Sequence, residues 1–119
     1  MTFRKICKIT DIKNNSMSLF DVDGVEITVG KHNGKFFACN AYCPHKGAYL
    51  YRGWFNDNNI VCGRHNYEFD LSSGKLMKMT SWKKDHPTWI EQSPNWRKAG
   101  DLTIYKVKVS NGYLAVDLP

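Results

Sequence analysis

The chain has 119 residues, 42% hydrophobic and 24% charged, a composition that excludes a disordered tail, a collagen-like repeat or a mini-protein held by disulfides. This length suits one domain with one modest core. Seventeen Lys and Arg against eleven Asp and Glu leave a formal charge of +6, which favours acidic partners, and no apolar run approaches the roughly 20 residues of a bilayer span.

At the N-terminus, residues 1–8 carry basic side chains with no apolar stretch behind them and no twin-arginine pair. A cytoplasmic protein with reduced thiols and no membrane association is therefore expected. Residues 3–9, 17–22, 25–29 and 35–39 are rich in β-branched and aromatic side chains and read as strands. Asp23-Gly24 and Asn33-Gly34 punctuate them as hairpin turns, because two-residue turns need positive φ and Gly or Asn supplies it cheaply. No helix is expected before residue 78.

Residues 78–101 hold a small repeat: Ser81-Trp82, Thr88-Trp89 and Asn95-Trp96 recur every seven residues, with Pro87 and Pro94 closing the first two units. Seven-residue spacing suggests a helix, but proline at that interval breaks one, so short helical turns or an extended arm are expected. Packing of these tryptophans onto the strands is the plainer role; a partner-docking arm is the alternative. Residues 103–109 and 113–118 then flank Asn111-Gly112 as a closing hairpin. Thr103, Tyr105, Val107 and Val109 alternate with Ile104, Lys106 and Lys108, the period of a half-buried strand. The pattern predicts an antiparallel all-β domain.

Chemistry enters with the cysteines, Cys7, Cys39, Cys43 and Cys62. An even count in a short chain can mean a disulfide framework, but only in an extracellular context. Cys43-Pro44-His45 is a C-x-H unit and Cys62-Gly63-Arg64-His65 a C-x-x-H unit, with residues 46–61 between them. Two thiolates and two imidazoles suit either a tetrahedral zinc or a 2Fe-2S centre in which histidines replace two cysteines on one iron. Zinc fingers usually present a cysteine pair and then a histidine pair. The order Cys, His, Cys, His is instead the one expected if two similar loops face each other across a binuclear cluster, each giving one ligand to each iron. Lys46-Gly47-Ala48 follows the first unit. Phe69-Asp70-Leu71-Ser72-Ser73-Gly74 closes the segment after the second.

On these residues the sequence resembles the Rieske family, whose loops read C-x-H-x-G and C-x-x-H, the second followed by an aromatic-Asp-x-x-[ST]-G turn. The resemblance is strong over residues 39–76 and only a pattern in the flanking strands. It implies a Rieske-type fold: antiparallel β-sheets in a sandwich, with a small cluster-binding subdomain of two loops. It implies that Cys43 and Cys62 hold one iron of a single 2Fe-2S cluster, and His45 and His65 the other. The expected organisation is one domain over residues 1–119, with a cluster-binding subdomain at about 41–79 and an atypical Trp-rich insertion at about 80–101. A zinc-binding module remains the alternative.

The ligand set bears on the potential. Two thiolates and two neutral imidazoles leave the oxidised site uncharged and the reduced site singly negative, whereas four thiolates would make both more negative and reduction harder. Histidine ligation therefore lifts the potential into a window of about −150 to +300 mV. Respiratory relatives carry an extra cysteine in each loop and hydroxyl donors from a Ser and a Tyr. The resemblance places Ala48 and Arg64 at the cysteine positions, and Tyr67 and Phe69 at the donor positions. The expectation is a potential near the low end, as in the soluble Rieske ferredoxins that serve oxygenases. Outer nitrogens of His45 and His65 facing solvent would couple electron to proton uptake.

The function that follows is a one-electron carrier, a ferredoxin rather than an enzyme, shuttling between a flavoprotein reductase and a terminal oxygenase. The alternative is a small electron-transfer subunit of a larger oxidoreductase, nitrite-reductase-like. Within these 119 residues no second domain with the mononuclear iron of a terminal oxygenase is expected. Lys46, Arg52 and Arg64 against Asp57 alone give residues 41–67 a surplus of about +2, so partners with acidic docking faces are expected. Nucleic acid is not an expected partner, because the basic residues are scattered from Arg4 to Lys108 and form no stripe. His32 and His86 read as surface residues, Cys7 and Cys39 as buried small hydrophobes on strands, and Gly47, Gly63 and Gly74 as aids to backbone geometry.

Overall fold

A computed structural model describes residues 2–44, 49–63, 67–78 and 101–118. Within them the regular structure is antiparallel strand with two single 3-10 turns, and no α-helix occurs among the described residues. No helix of the described residues is long and apolar enough to cross a membrane. The backbone divides into two compact units, residues 1–41 with 103–119, and residues 42–102.

The first unit holds β1 (Thr2–Lys8), β2 (Ser16–Val22), β3 (Val25–His32), β4 (Lys35–Asn40), β9 (Ile104–Tyr105), β10 (Val107–Ser110) and β11 (Tyr113–Leu118). The order is β1-β11-β10 in one sheet and β2-β3-β4-β9 in the other. Three hairpins carry the turns expected of them. Asp23 and Gly24, Asn33 and Gly34, and Asn111 and Gly112 all have positive φ, the two-residue geometry whose twist matches that of the flanking strands. Register follows from the turns: Val22 faces Val25, His32 faces Lys35 and Ser110 faces Tyr113.

Ile27, Val29 and Ala38 from one sheet and Leu114, Val116 and Leu118 from the other form a buried cluster with Ile12. Alternation at 27/29 and 114/116/118 puts these side chains on one face of each sheet, so this core lies between the two sheets. Cys39, opposite Thr28 on β3, is fully buried. Burial pushes its thiol up to about 12, the Thr28 hydroxyl offsetting part of the rise. Cys7 is half-buried on β1.

One strand expectation is corrected. Residues 103–109 do not form a single strand. Ile104–Tyr105 pair with β4, whereas Val107–Ser110 pair with β11 in the other sheet. The chain changes sheets at Lys106, whose carbonyl accepts the Asp117 N–H at 2.9 Å. Ile104 and Tyr105 are both half-buried, whereas β10 is exposed at Lys108, Val109 and Ser110, so the alternation over 103–109 does not mark the switch.

The second unit carries a four-stranded sheet in simple order: β5 (Trp54–Asn56), β6 (Asn59–Val61), β7 (Glu68–Asp70) and β8 (Leu76–Lys78). Ile60, Val61, Phe69, Leu50 and Tyr67 are among its buried side chains. The Trp82, Trp89 and Trp96 repeat lies outside the described residues.

Candidate metal centre

Each candidate thiolate stands where a short piece of regular structure ends. Cys62 directly follows β6, so its backbone direction is set by the β5–β6 hairpin, in which Trp54 faces Val61 and Asp57 takes positive φ at the turn. The Cys62 N–H donates to the Tyr67 carbonyl at 2.8 Å, closing the second loop at its base. Cys43 follows Tyr42, whose backbone bridges to Tyr49. That bridge closes the first loop in the same manner. The Tyr42 and Tyr49 rings stack with centroids 4.9 Å apart, and the Tyr42 hydroxyl donates to the Tyr49 hydroxyl at 3.4 Å.

Both thiols are withdrawn from water, Cys43 at 2% and Cys62 at 1% exposure, and neither forms a disulfide. Buried thiols without a disulfide partner suit a soft metal centre, because the thiolate is stable out of water only beside a cation. Tyr67 ties the two segments together. Its carbonyl holds the Cys62 N–H. Its buried phenol is pushed above the usual tyrosine value by desolvation, and negative charge on Cys43 adds to the rise. His45, Lys46, Ala48, Arg64 and His65 lie outside the described residues.

The turn after the second unit is built on Asp70. Its carboxylate accepts the Ser73 hydroxyl at 2.8 Å, the Asn58 amide at 3.0 Å and the Ser72 N–H at 3.2 Å. These bonds hold it below the usual carboxylate range, the Ser73 hydroxyl contributing most. The Asp70 carbonyl accepts the Gly74 N–H at 2.7 Å, and Gly74 supplies the positive φ that ends the turn. A short Asp and two serines thus replace water around a tight reversal, the role these residues take in Asx-type turns. The turn in turn fixes β7, and with it Tyr67.

Sequence reasoning passed over Gly53. A Cβ there would stand 1.7 Å from the Val61 carbonyl oxygen and 3.2 Å from the Gly63 nitrogen, so the backbone on both sides of Cys62 lies against a residue that has no room for a side chain. Its φ is −87°, and the requirement is therefore steric, not conformational. The same reasoning missed the aromatic run around it, Tyr49, Tyr51 and Trp54. The density of rings in Tyr49-Leu50-Tyr51-Arg52-Gly53-Trp54 is the signal that was available.

An all-β scaffold with two buried, unbridged thiols at two closed loops, each followed in sequence by a histidine, offers a donor set that suits a 2Fe-2S cluster or a zinc ion. The family model described as the Rieske [2Fe-2S] domain matches residues 2–106, and the chain belongs to that family; its cofactor is a 2Fe-2S cluster. The chain is 30% identical over 71 residues to the ferredoxin component of an alkene monooxygenase system from Xanthobacter autotrophicus, covering 59% of this chain and 58% of that protein. It thus spans little more than half the length of that relative. The ferredoxin subunit of 3-phenylpropionate/cinnamic acid dioxygenase from Escherichia coli K12 is 26% identical over 114 residues, 95% of this chain and 91% of the relative. Among solved structures, the ferredoxin of carbazole 1,9a-dioxygenase from Nocardioides aromaticivorans IC177 superposes over all of both chains with a TM-score of 0.76 at 22% identity, which shows a shared fold.

Proposed function

We propose that the chain is a one-electron carrier, a ferredoxin that takes electrons from a flavoprotein reductase and delivers them to a terminal oxygenase in the cytoplasm. Cys43 and Cys62 hold one iron and His45 and His65 the other. Residues 1–119 act as one Rieske domain, with the cluster-binding part at about 41–79 and the Trp-rich insertion at about 80–101. When bound, the cluster supplies a reversible one-electron couple. The residues around it exclude water from the thiolates, close the two loops and present the partner with a basic rim.

The observation that carries this reading is the pair Cys43 and Cys62, both almost fully buried, unbridged and placed at the mouths of two closed loops. The family match and the two ferredoxin relatives support it. The test is a redox titration of anaerobically purified protein, followed by EPR. A reversible one-electron wave in the lower part of the window of about −150 to +300 mV is expected. A midpoint above about +150 mV, or recovery of the protein only within a larger complex, would move the reading to a fixed subunit of an oxidoreductase. A colourless protein with no wave would restore zinc.

A further inference from the structure

The second unit carries aromatic rings next to both thiol-bearing segments. Tyr42, which precedes Cys43, is 43% exposed, and Trp54 is 49% exposed. The Trp54 ring lies over Gly63, the residue after Cys62, with Cζ3 3.5 Å from the position of a Cβ there. Between them in sequence, Tyr49 stacks on Tyr42 and meets Tyr51 with centroids 5.5 Å apart. The exposed Arg52 guanidinium lies 5.9 Å from the Tyr49 ring centre and 5.6 Å from that of Tyr51, and its Nε–H donates to the Tyr51 hydroxyl at 3.2 Å. No carboxylate pairs with Arg52 among the described residues.

Large exposed rings are costly to leave in water and are the residue types enriched at binding hot spots, as is arginine. Here Tyr42 precedes Cys43 along the chain, and the Trp54 ring lies over Gly63, which follows Cys62. We infer that Tyr42, Tyr49, Tyr51, Arg52 and Trp54 form the face on which the electron-donating partner docks. The partner surface that fits is flat and apolar at its centre and rimmed by carboxylates, as at the exposed edge of a flavin in an acidic flavoprotein. This inference rests on the carrier reading above. The rings supply the contact area at low entropic cost, and Arg52, held in place by two of them, supplies a positive charge beside them. The exposed Arg52 guanidinium gives the complementarity its sign.

The test uses holo-protein and two reductants, the first mixed by stopped flow and the second, a short-lived radical, generated in place by a laser flash. One is an acidic flavodoxin in its hydroquinone form, and the other is photoreduced 5-deazariboflavin, which is small and uncharged. Arg52→Glu should slow electron uptake from the flavodoxin about tenfold at low ionic strength and flatten its salt dependence. Trp54→Ala and Tyr42→Ala should slow it about fivefold at every salt concentration. Lys35→Glu, the same charge reversal on an exposed hairpin of the other unit, should stay within about twofold of the parent. If Trp54→Ala loses its cluster, Arg52→Glu decides. Equal effects of Arg52→Glu and Lys35→Glu, or ring truncations that leave the flavodoxin rate unchanged, would overturn the proposal. If the parent takes up electrons from neither reductant, the carrier reading itself falls, and the docking face with it.

Discussion

Gly53→Ala is the perturbation that tests most sharply how the scaffold holds the second ligand loop. The added Cβ would stand 1.7 Å from the Val61 oxygen and 2.9 Å from the Val61 carbonyl carbon, against an ordinary carbon–oxygen contact of about 3.3 Å. Both obstructing atoms are backbone, so no rotamer change relieves the contact and the chain at residues 61–63 must move by roughly 1.5 Å. That movement strains the Trp54–Val61 pairing and the 2.8 Å bond from Cys62 N–H to the Tyr67 carbonyl. Overpacking of this kind costs about 1–3 kcal/mol, and the lost bond adds about 1 kcal/mol. A total of about 3 kcal/mol, over a chain of this length, lowers the melting midpoint by about 12 °C. The assay is thermal unfolding of holo-protein, read by the visible absorption of the cluster and by far-UV circular dichroism. Iron content should fall alongside stability, because the displaced segment carries Cys62. Gly24→Ala is the contrast: its φ is +87° but nothing lies within 4 Å, so it should cost about 1 kcal/mol and leave iron content unchanged. A Gly53→Ala protein that melts within about 2 °C of the parent and keeps its full iron would refute the reasoning.

Three further outcomes follow from the same contacts. Asp70→Ala removes the acceptor for Ser73, Asn58 and Ser72 and should destabilise by about 1–2 kcal/mol in urea. Because the folded Asp70 carboxyl lies below its unfolded value of about 3.9, its contribution is complete above that pH and fades as pH falls through the folded value; Asp70→Asn should flatten this acid limb of the stability curve, and parallel limbs would contradict the assignment. Leu114, fully buried between the sheets, should cost about 2–5 kcal/mol on truncation to Ala, measured by the same urea midpoint. Cys39, pushed up to about 12 by burial, should resist iodoacetamide at pH 8 in the folded protein and react only in denaturant, as peptide mapping would show.

The outer strands were legible because each hairpin turn writes its geometry in its residues. Asp23-Gly24, Asn33-Gly34 and Asn111-Gly112 need positive φ at both positions, and few other dipeptides tolerate it. The two thiols singled out by their C-x-H and C-x-x-H units, Cys43 and Cys62, are both buried and unbridged; the type and order of such residues are properties of sequence. Strands β5 to β8 were not, because three residues are too few to show a period of two. The sheet switch at Lys106 and the closeness of Gly53 to Val61 depend on which backbone lies opposite, and residues distant in sequence decide that. Tyr42 and Tyr49 illustrate the same limit. Nothing in either residue announces the bridge that closes the first loop.

The central claim is that one iron is held by Cys43 and Cys62 and the other by His45 and His65. The measurement that tests it most directly is the Mössbauer spectrum of protein enriched in iron-57, oxidised and then reduced. The account predicts two ferric sites of equal area with distinct isomer shifts, the added electron localising on the histidine-ligated iron. Two equivalent sulfur-ligated sites, or protein that binds zinc in place of iron, would contradict it.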